Sequence, residues 1–302
     1  MTEKSQAESN IPACLPPDPN PKTPAFKFPS QACDCHAHIC GPIKTYPYTA
    51  RRIYTPPDAL IGDYERLLDT LGVERAVLVQ PSFYATDNSA MLAVLKATRR
   101  TMRGVAVIAD DATDRHLEEL HQAGVRGARI NIVDLQHGKG ELPLEKIKRL
   151  AERIKPLNWH IEFLMHVDEF PDLDRMFGDF PIEVVFGHLG YVRADKGTAV
   201  PGFQALLRLL RSGRAWVKFT GAYRISAQTT PHSDTNIFAH RLLEAAPARI
   251  VWGTDWPHVM TKWTIPMPND GELADLLMNW IPDAGLRKQI LVDNPATLYG
   301  FD

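Results

Sequence analysis

The sequence predicts an α/β fold: a (β/α)8 TIM-type barrel of eight parallel strands, preceded by a proline-rich N-terminal arm. Three observations carry that expectation. Short apolar or β-branched runs alternate with longer helical patterns from residue 32 onward, the rhythm of a parallel sheet. There are eight such runs, mostly about 20–35 residues apart, which suits a closed barrel better than an open sheet. The 302 residues, 44% of them hydrophobic, also match one barrel of about 250 residues better than two domains.

Residues 1–31 form the arm and 32–302 the barrel. Seven prolines between Pro12 and Pro29, with almost no aliphatic run, preclude a core element there. Such an arm either wraps a neighbouring subunit of a homo-oligomer or stays loose. The predicted strands are Ala32–His38, Arg75–Gln80, Arg103–Ile108, Gly127–Ile132, His160–Met165, Ile182–Phe186, Ala215–Phe219 and Arg249–Gly253. Helical patterns fall at Asp58–Leu71, Asn88–Thr101, Asp114–Ala123, Pro143–Lys155, Phe170–Phe177, Gly202–Arg211 and Asn236–Ala246, with Gly271–Trp280 and Ala284–Tyr299 last.

A formal net charge of −2 gives no broad basic surface, so nucleic acid is not an expected partner. No run approaches the ~18 apolar residues of a membrane span, and the N-terminus has no basic start followed by an apolar stretch, which predicts a cytoplasmic protein. Cys33 and Cys35 share a strand face but lack a second cysteine-rich element, so they read as reduced structural thiols.

In such barrels chemistry sits at the C-terminal strand ends. His36 and His38, two apart on the first strand, project to one face, and at that position the face is the interior. Two imidazoles make half of a metal site, and a catalytic zinc keeps about three protein ligands and an open position. His166, His188 and Asp255, at the ends of strands five, six and eight, can complete it. The five are candidate ligands, and Asp255 is expected at a barrel mouth, away from packing. His116, His121, His137, His160 and His240 read as ordinary structural histidines, and His232 fits either class.

Several cations also fall at or beyond strand ends. Guanidinium groups fork onto carboxylates or sulfonates, so a pocket holding several binds anions. Arg51, Lys44 and Lys218 read as solvated surface charges; Arg52 fits either reading.

The stretches Asp34-Cys35-His36-Ala37-His38, Gly187-His188-Leu189-Gly190 and Gly253-Thr254-Asp255-Trp256-Pro257-His258 resemble the amidohydrolase superfamily. With Gln80-Pro81-Ser82, Thr86-Asp87-Asn88 and Asn294-Pro295-Ala296-Thr297-Leu298-Tyr299, residues ~32–300 look like its 2-pyrone-4,6-dicarboxylate lactonase group. The resemblance implies hydrolysis of a small anionic lactone. Asp255 would take the proton from water, His36, His38 and His188 would polarise the carbonyl, and Arg129, Arg193, Arg224, Arg52, Tyr54, Ser82 and Asn88 would hold the substrate. The pyrone lactonases work without metal and carry an acid at the end of strand five; His166 there restores the ligand set of metal-dependent members, which implies one Zn2+ on His36, His38, His166, His188 and Asp255. Leu135, Leu164 and Met260 stand where that group has an arginine, a tyrosine and an asparagine, which argues against a dicarboxylate and for a lactone bearing a sulfonate or single carboxylate. The alternatives are a metal-independent pyrone dicarboxylate lactonase, a metal-dependent decarboxylase of the superfamily, and a noncatalytic barrel that only binds or assembles.

Overall fold

The computed structural model describes residues 11–134, 142–260 and 266–301. Eight parallel strands form one sheet in sequence order: β1 (Cys33–Ala37), β2 (Arg75–Val79), β3 (Thr101–Ala106), β4 (Val125–Asn131), β5 (His160–Leu164), β6 (Val184–Phe186), β7 (Ala215–Phe219) and β8 (Ile250–Trp252). Closure comes just beyond β8, where His38 N donates to Trp256 O at 2.8 Å and Asp255 N to His36 O at 2.8 Å. Gly253 permits it, because a Cβ there would lie 2.6 Å from His36 N.

Helices alternate with the strands: α1 (Ile61–Leu71), α2 (Ser89–Ala97), α3 (Asp114–Gln122), α4 (Leu144–Ile154), α5 (Leu173–Gly178), α6 (Pro201–Arg211), α7 (Ala222–Ile225), α8 (Asn236–Ala245), α9 (Asp270–Trp280), α10 (Ala284–Lys288) and α11 (Asn294–Tyr299). Amphipathic spacing places them. In α1, Tyr64, Leu67, Leu68 and Leu71 form a buried i, i+3, i+4, i+7 stripe, and the helix stops at Gly72, whose φ of 77° suits a residue without Cβ. Among the described residues no helix is long and apolar enough to cross a membrane.

Three features depart from the sequence reading. β3 lies two residues earlier than predicted because Asn88 takes over the backbone of Val107: its Oδ1 accepts from Val107 N (3.0 Å) and its Nδ2 donates to Val107 O (2.9 Å). The single helix expected over Ala284–Tyr299 is broken by a π-helical turn, Gln289–Asp293. Pro295 follows, and without an N–H it cannot continue the regular ladder. The described part of the arm, finally, docks on its own barrel. Cys14 N and Thr55 N bond to Thr55 O and Pro12 O, both at 2.8 Å. Asn269 accepts from Lys22 N (3.0 Å) and donates to Asp18 Oδ2 (2.8 Å), and Phe28 is buried 5.1 Å from Trp252.

Inside the barrel, Cys33, Cys35, Val77, Val79, Val105, Val185, Trp216 and Val251 form an inner cluster with Leu298, Tyr299 and Phe301 of the chain end packed against it. All described cysteines are free thiols and buried. β1 carries a bulge: Asp34 pairs with Ala76 but Ala37 with Leu78, three residues against two. Strict alternation would send Cys33 and Cys35 to one face and His36 and His38 to the other. The extra residue resets the phase, so both pairs face inward, the thiols in the core and the imidazoles one layer higher.

Candidate active site

Asp34 secures the bulge. Its side chain turns out of the barrel and accepts from His36 N (3.0 Å), Tyr64 Oη of α1 (2.8 Å), Thr254 N (3.0 Å) and Thr254 Oγ1 (2.6 Å). Burial raises its carboxyl to about 6 against these bonds. β1 is thereby fastened to the turn after β8, which presents Asp255.

At the mouth, His36 Nε2 and His38 Nε2 lie 3.6 and 3.7 Å from Asp255 Oδ1. These three atoms converge from fully buried residues; His36 Nε2 and Asp255 Oδ1 have no hydrogen-bond partner among the described residues. The gaps are long for hydrogen bonds. They suit donors around one cation, since ligand atoms ~2.0–2.1 Å from a tetrahedral zinc lie about 3.3 Å apart. The donor set therefore fits a divalent ion. The ring of His188 stands 5.4 Å from that of His36, with Nδ1 2.8 Å from Thr220 Oγ1. His166 packs on Tyr191 at 4.3 Å between ring centres, and its Nδ1 donates to Tyr191 O at 2.8 Å. Neither His188 nor His166 joins the converging trio.

The sequence placed Asp255 at the mouth and away from packing; the structure keeps it at the mouth but packs it closely. It is fully buried: Oδ2 accepts from Tyr223 Oη (2.6 Å) and Arg224 Nε (2.5 Å), both on α7. Burial pushes its carboxyl up, but Arg224 and then His188 outweigh that, holding it well below the usual carboxylate range. Tyr223 Oη also lies 3.1 Å from His258 Nδ1, and His258 Nε2 lies 3.2 Å from Asp270 Oδ1, so a buried polar row leads from Asp255 into the structure. Burial lowers the pKa of His38 and His188 and, with Lys218 adding to it, that of His36 to about 3, which favours the neutral rings. Four residues of the site, His188 (φ 50°), Tyr191 (φ 55°), Asp255 (φ 67°) and Met260 (φ 60°), hold left-handed backbone that costs a non-glycine residue energy.

The cleft above them is lined by His38, Tyr54, Arg129, Asp134, Leu164, His188, Tyr191, Arg224, Asp255, Val259 and Met260. Arg129 donates to Gln80 O (2.6 Å) and Tyr54 Oη lies 3.2 Å from Ser82 Oγ. Leu164 and Met260 thus line it; Leu135 and His137 lie outside the described residues. The remaining expected substrate contacts are elsewhere. Arg193 is exposed and paired with Asp195 (2.6 Å), Arg52 bonds Thr55 Oγ1 and Thr49 O, and Asn88 is spent on backbone.

Lys218 requires a correction. Read from sequence as a solvated charge, it is fully buried, because its position on β7 faces the barrel interior. It survives there because Glu162 of β5, which sequence reasoning missed, lies 2.5 Å away. Burial works to raise the Glu162 carboxyl, but Lys218, then His36 and Arg129, together outweigh it and hold Glu162 well below the ordinary range. The signal was present: a Glu and a Lys each inside an otherwise apolar predicted strand. Tyr223 and Tyr191 carried no comparable signal, lying in a four-residue helix and a turn.

The chain matches the amidohydrolase family over residues 33–301. It is 35% identical to a 4-sulfomuconolactone hydrolase of Hydrogenophaga intermedia over 98% of this chain and 97% of that protein. It is 36% identical to a 2-pyrone-4,6-dicarboxylate hydrolase of Comamonas testosteroni over 93% of each. The crystal structure of a putative 2-pyrone-4,6-dicarboxylic acid hydrolase from Pseudomonas putida superposes with a TM-score of 0.79 at 31% identity, covering 91% of this chain and 99% of that one. With strand order, mouth-facing His and Asp side chains and near full-length identity in agreement, the chain belongs to the amidohydrolase family.

Proposed function

We propose that this protein hydrolyses a small anionic lactone in the degradation of aromatic compounds, with 4-sulfomuconolactone as the substrate. The observation that carries the reading is the convergence of His36 Nε2, His38 Nε2 and Asp255 Oδ1 beside Arg129 and Arg224 in one cleft. Relatives named as hydrolases of a sulfonated lactone and of a pyrone dicarboxylate support the reaction class. 4-Sulfomuconolactone carries a carboxylate as well as its sulfonate, so charge does not separate the two substrates; Leu164 and Met260, where the pyrone lactonase group has a tyrosine and an asparagine, instead remove polar partners from any pyrone carboxylate placed against them.

His36, His38 and Asp255 would hold one Zn2+, with His188 beside them; the ion would acidify water and polarise the lactone carbonyl. Arg129 and Arg224 orient the substrate's anionic groups. Asp255 takes the proton of the attacking water as the new C–O bond forms, and returns it as the ring C–O bond breaks. The freed oxygen sits, as a hydroxyl, on the carbon that bears the sulfonate; it closes to a ketone as the C–S bond breaks and its proton passes to the departing sulfite, giving maleylacetate and hydrogen sulfite from lactone and one water. The protein would act in the cytoplasm without nucleic-acid or membrane partners.

The test is to compare catalytic efficiency on 4-sulfomuconolactone and 2-pyrone-4,6-dicarboxylate, assaying sulfite for the first. Efficient hydrolysis with stoichiometric sulfite, and poor turnover of the pyrone, is expected. Equal or better turnover of the pyrone, or carbon dioxide as product, overturns the substrate assignment.

A further inference from the structure

A neutral imidazole has one N–H and one lone pair, so whatever meets one ring nitrogen decides what the other can do. For His38 the matter is closed by backbone: Nδ1 lies 2.7 Å from Val79 O, which only accepts, so Nδ1 carries the proton and Nε2 is bare. His36 has no carbonyl in that place. Its Nδ1 lies 3.2 Å from Glu162 Oε1 and 3.2 Å from Lys218 Nζ, and these partners demand opposite tautomers. The carboxylate accepts a proton; the ammonium needs a lone pair.

Two geometric facts choose between them. Lys218 Nζ has closer acceptors in Glu162 Oε2 (2.5 Å) and Cys35 O (2.7 Å), so His36 is its weakest option. A proton on His36 Nε2, moreover, would have to reach Asp255 Oδ1 across 3.6 Å, beyond hydrogen-bond range, and both atoms are left without partners. We propose that Glu162, neutralised by Lys218, accepts the Nδ1–H of His36 and holds that ring as the tautomer whose bare Nε2 faces His38 Nε2 and Asp255 Oδ1. Glu162 and Lys218 are then positioning residues. They do from the barrel interior for His36 what the Val79 carbonyl does for His38, and a carboxylate in that place also raises the basicity of the ligand nitrogen. The inference deepens the zinc reading, yet the tautomer itself stands or falls without any metal.

The experiment uses the full chain, labelled with 15N-histidine and stripped by a chelator, and reads the tautomer of His36 from the ring-nitrogen shifts, with His36→Gln to assign the signals. The expected result is His36 protonated on Nδ1. A second measurement compares zinc affinity, by competition with a chromophoric chelator, between the native chain and Glu162→Met/Lys218→Met. The double replacement leaves no lone buried charge that would unfold the barrel. Its zinc Kd should rise ~10- to 100-fold. An Nε2-protonated His36 in the native protein overturns the proposal, as does unchanged zinc affinity in a folded double variant. If zinc fails to bind the native chain while His36 is protonated on Nδ1, the tautomer assignment is supported and the zinc reading falls.

Discussion

Thr254 gives Asp34 two hydrogen bonds, from its backbone N at 3.0 Å and its Oγ1 at 2.6 Å, and so joins the first strand of the barrel to the turn that holds Asp255. The carboxylate is fully buried, which makes each donor expensive to lose. Thr254→Val keeps the shape and removes the hydroxyl. It should destabilise the protein by ~1.5–3 kcal/mol in urea unfolding, the cost typical of a bond to a charged group. A loss under ~0.5 kcal/mol would show that Asp34 does not depend on this contact.

Asp255→Asn should remove turnover, because an amide cannot take the proton from water. The structure adds a second effect. Arg224, almost buried, loses the charge it faces, and breaking one side of a buried pair costs ~3–5 kcal/mol. The variant is expected to be both inactive and less stable; activity within a few-fold of the native protein would exclude Asp255 as the base.

The two arginines that line the cleft should separate from the one that does not. Arg129→Met is expected to raise KM ~10-fold or more, the equivalent of one charge-assisted bond. Arg193→Met, which removes only an exposed pair with Asp195, should change KM by less than about two-fold. Equal effects from both would place Arg193 in the substrate site after all.

Stability should fall on the acid side of pH 6.5. His36, His38, His160 and His188 are buried, and burial lowers their pKa below the usual 6.5, to about 3 for His36 and His160. Unfolding lets each take up a proton, so their contribution is whole above pH 6.5 and is lost as pH drops from there toward 3. Asp34, raised to about 6 from 3.8, works the other way between those values, but it is one group against four. Urea unfolding in the presence of chelator should show stability falling from pH 6.5 to 5.5. A flat profile would mean that these rings are charged in the folded state.

The barrel and its strand count were legible because a buried parallel strand writes itself as a short apolar run, and eight such runs at regular intervals allow few other arrangements. His36, His38 and Asp255 were legible for a related reason: polar residues ending apolar strands have no structural excuse. What sequence could not show was direction. Lys218 and Asn88 are ordinary polar residues in the text; only the pairing across the barrel sends one into the interior against Glu162 and the other onto the backbone of Val107. The arm misled similarly, since proline content excludes helix and strand but not docking through single hydrogen bonds, such as those of Asn269.

The extra residue in β1 also limits how this barrel can be re-engineered. A designer regularising the strands would treat the irregularity as a blemish, keep every residue and pair β1 with β2 one to one, an idealisation that usually favours stability. Its first strand would then keep strict alternation from Cys33 onward, and His36 and His38 would turn outward toward the helices while the thiols stayed within. Deleting one residue before His36, by contrast, removes the bulge and leaves His36 and His38 facing inward, so the site depends on the phase of the pairing and not on the residue count of the strand.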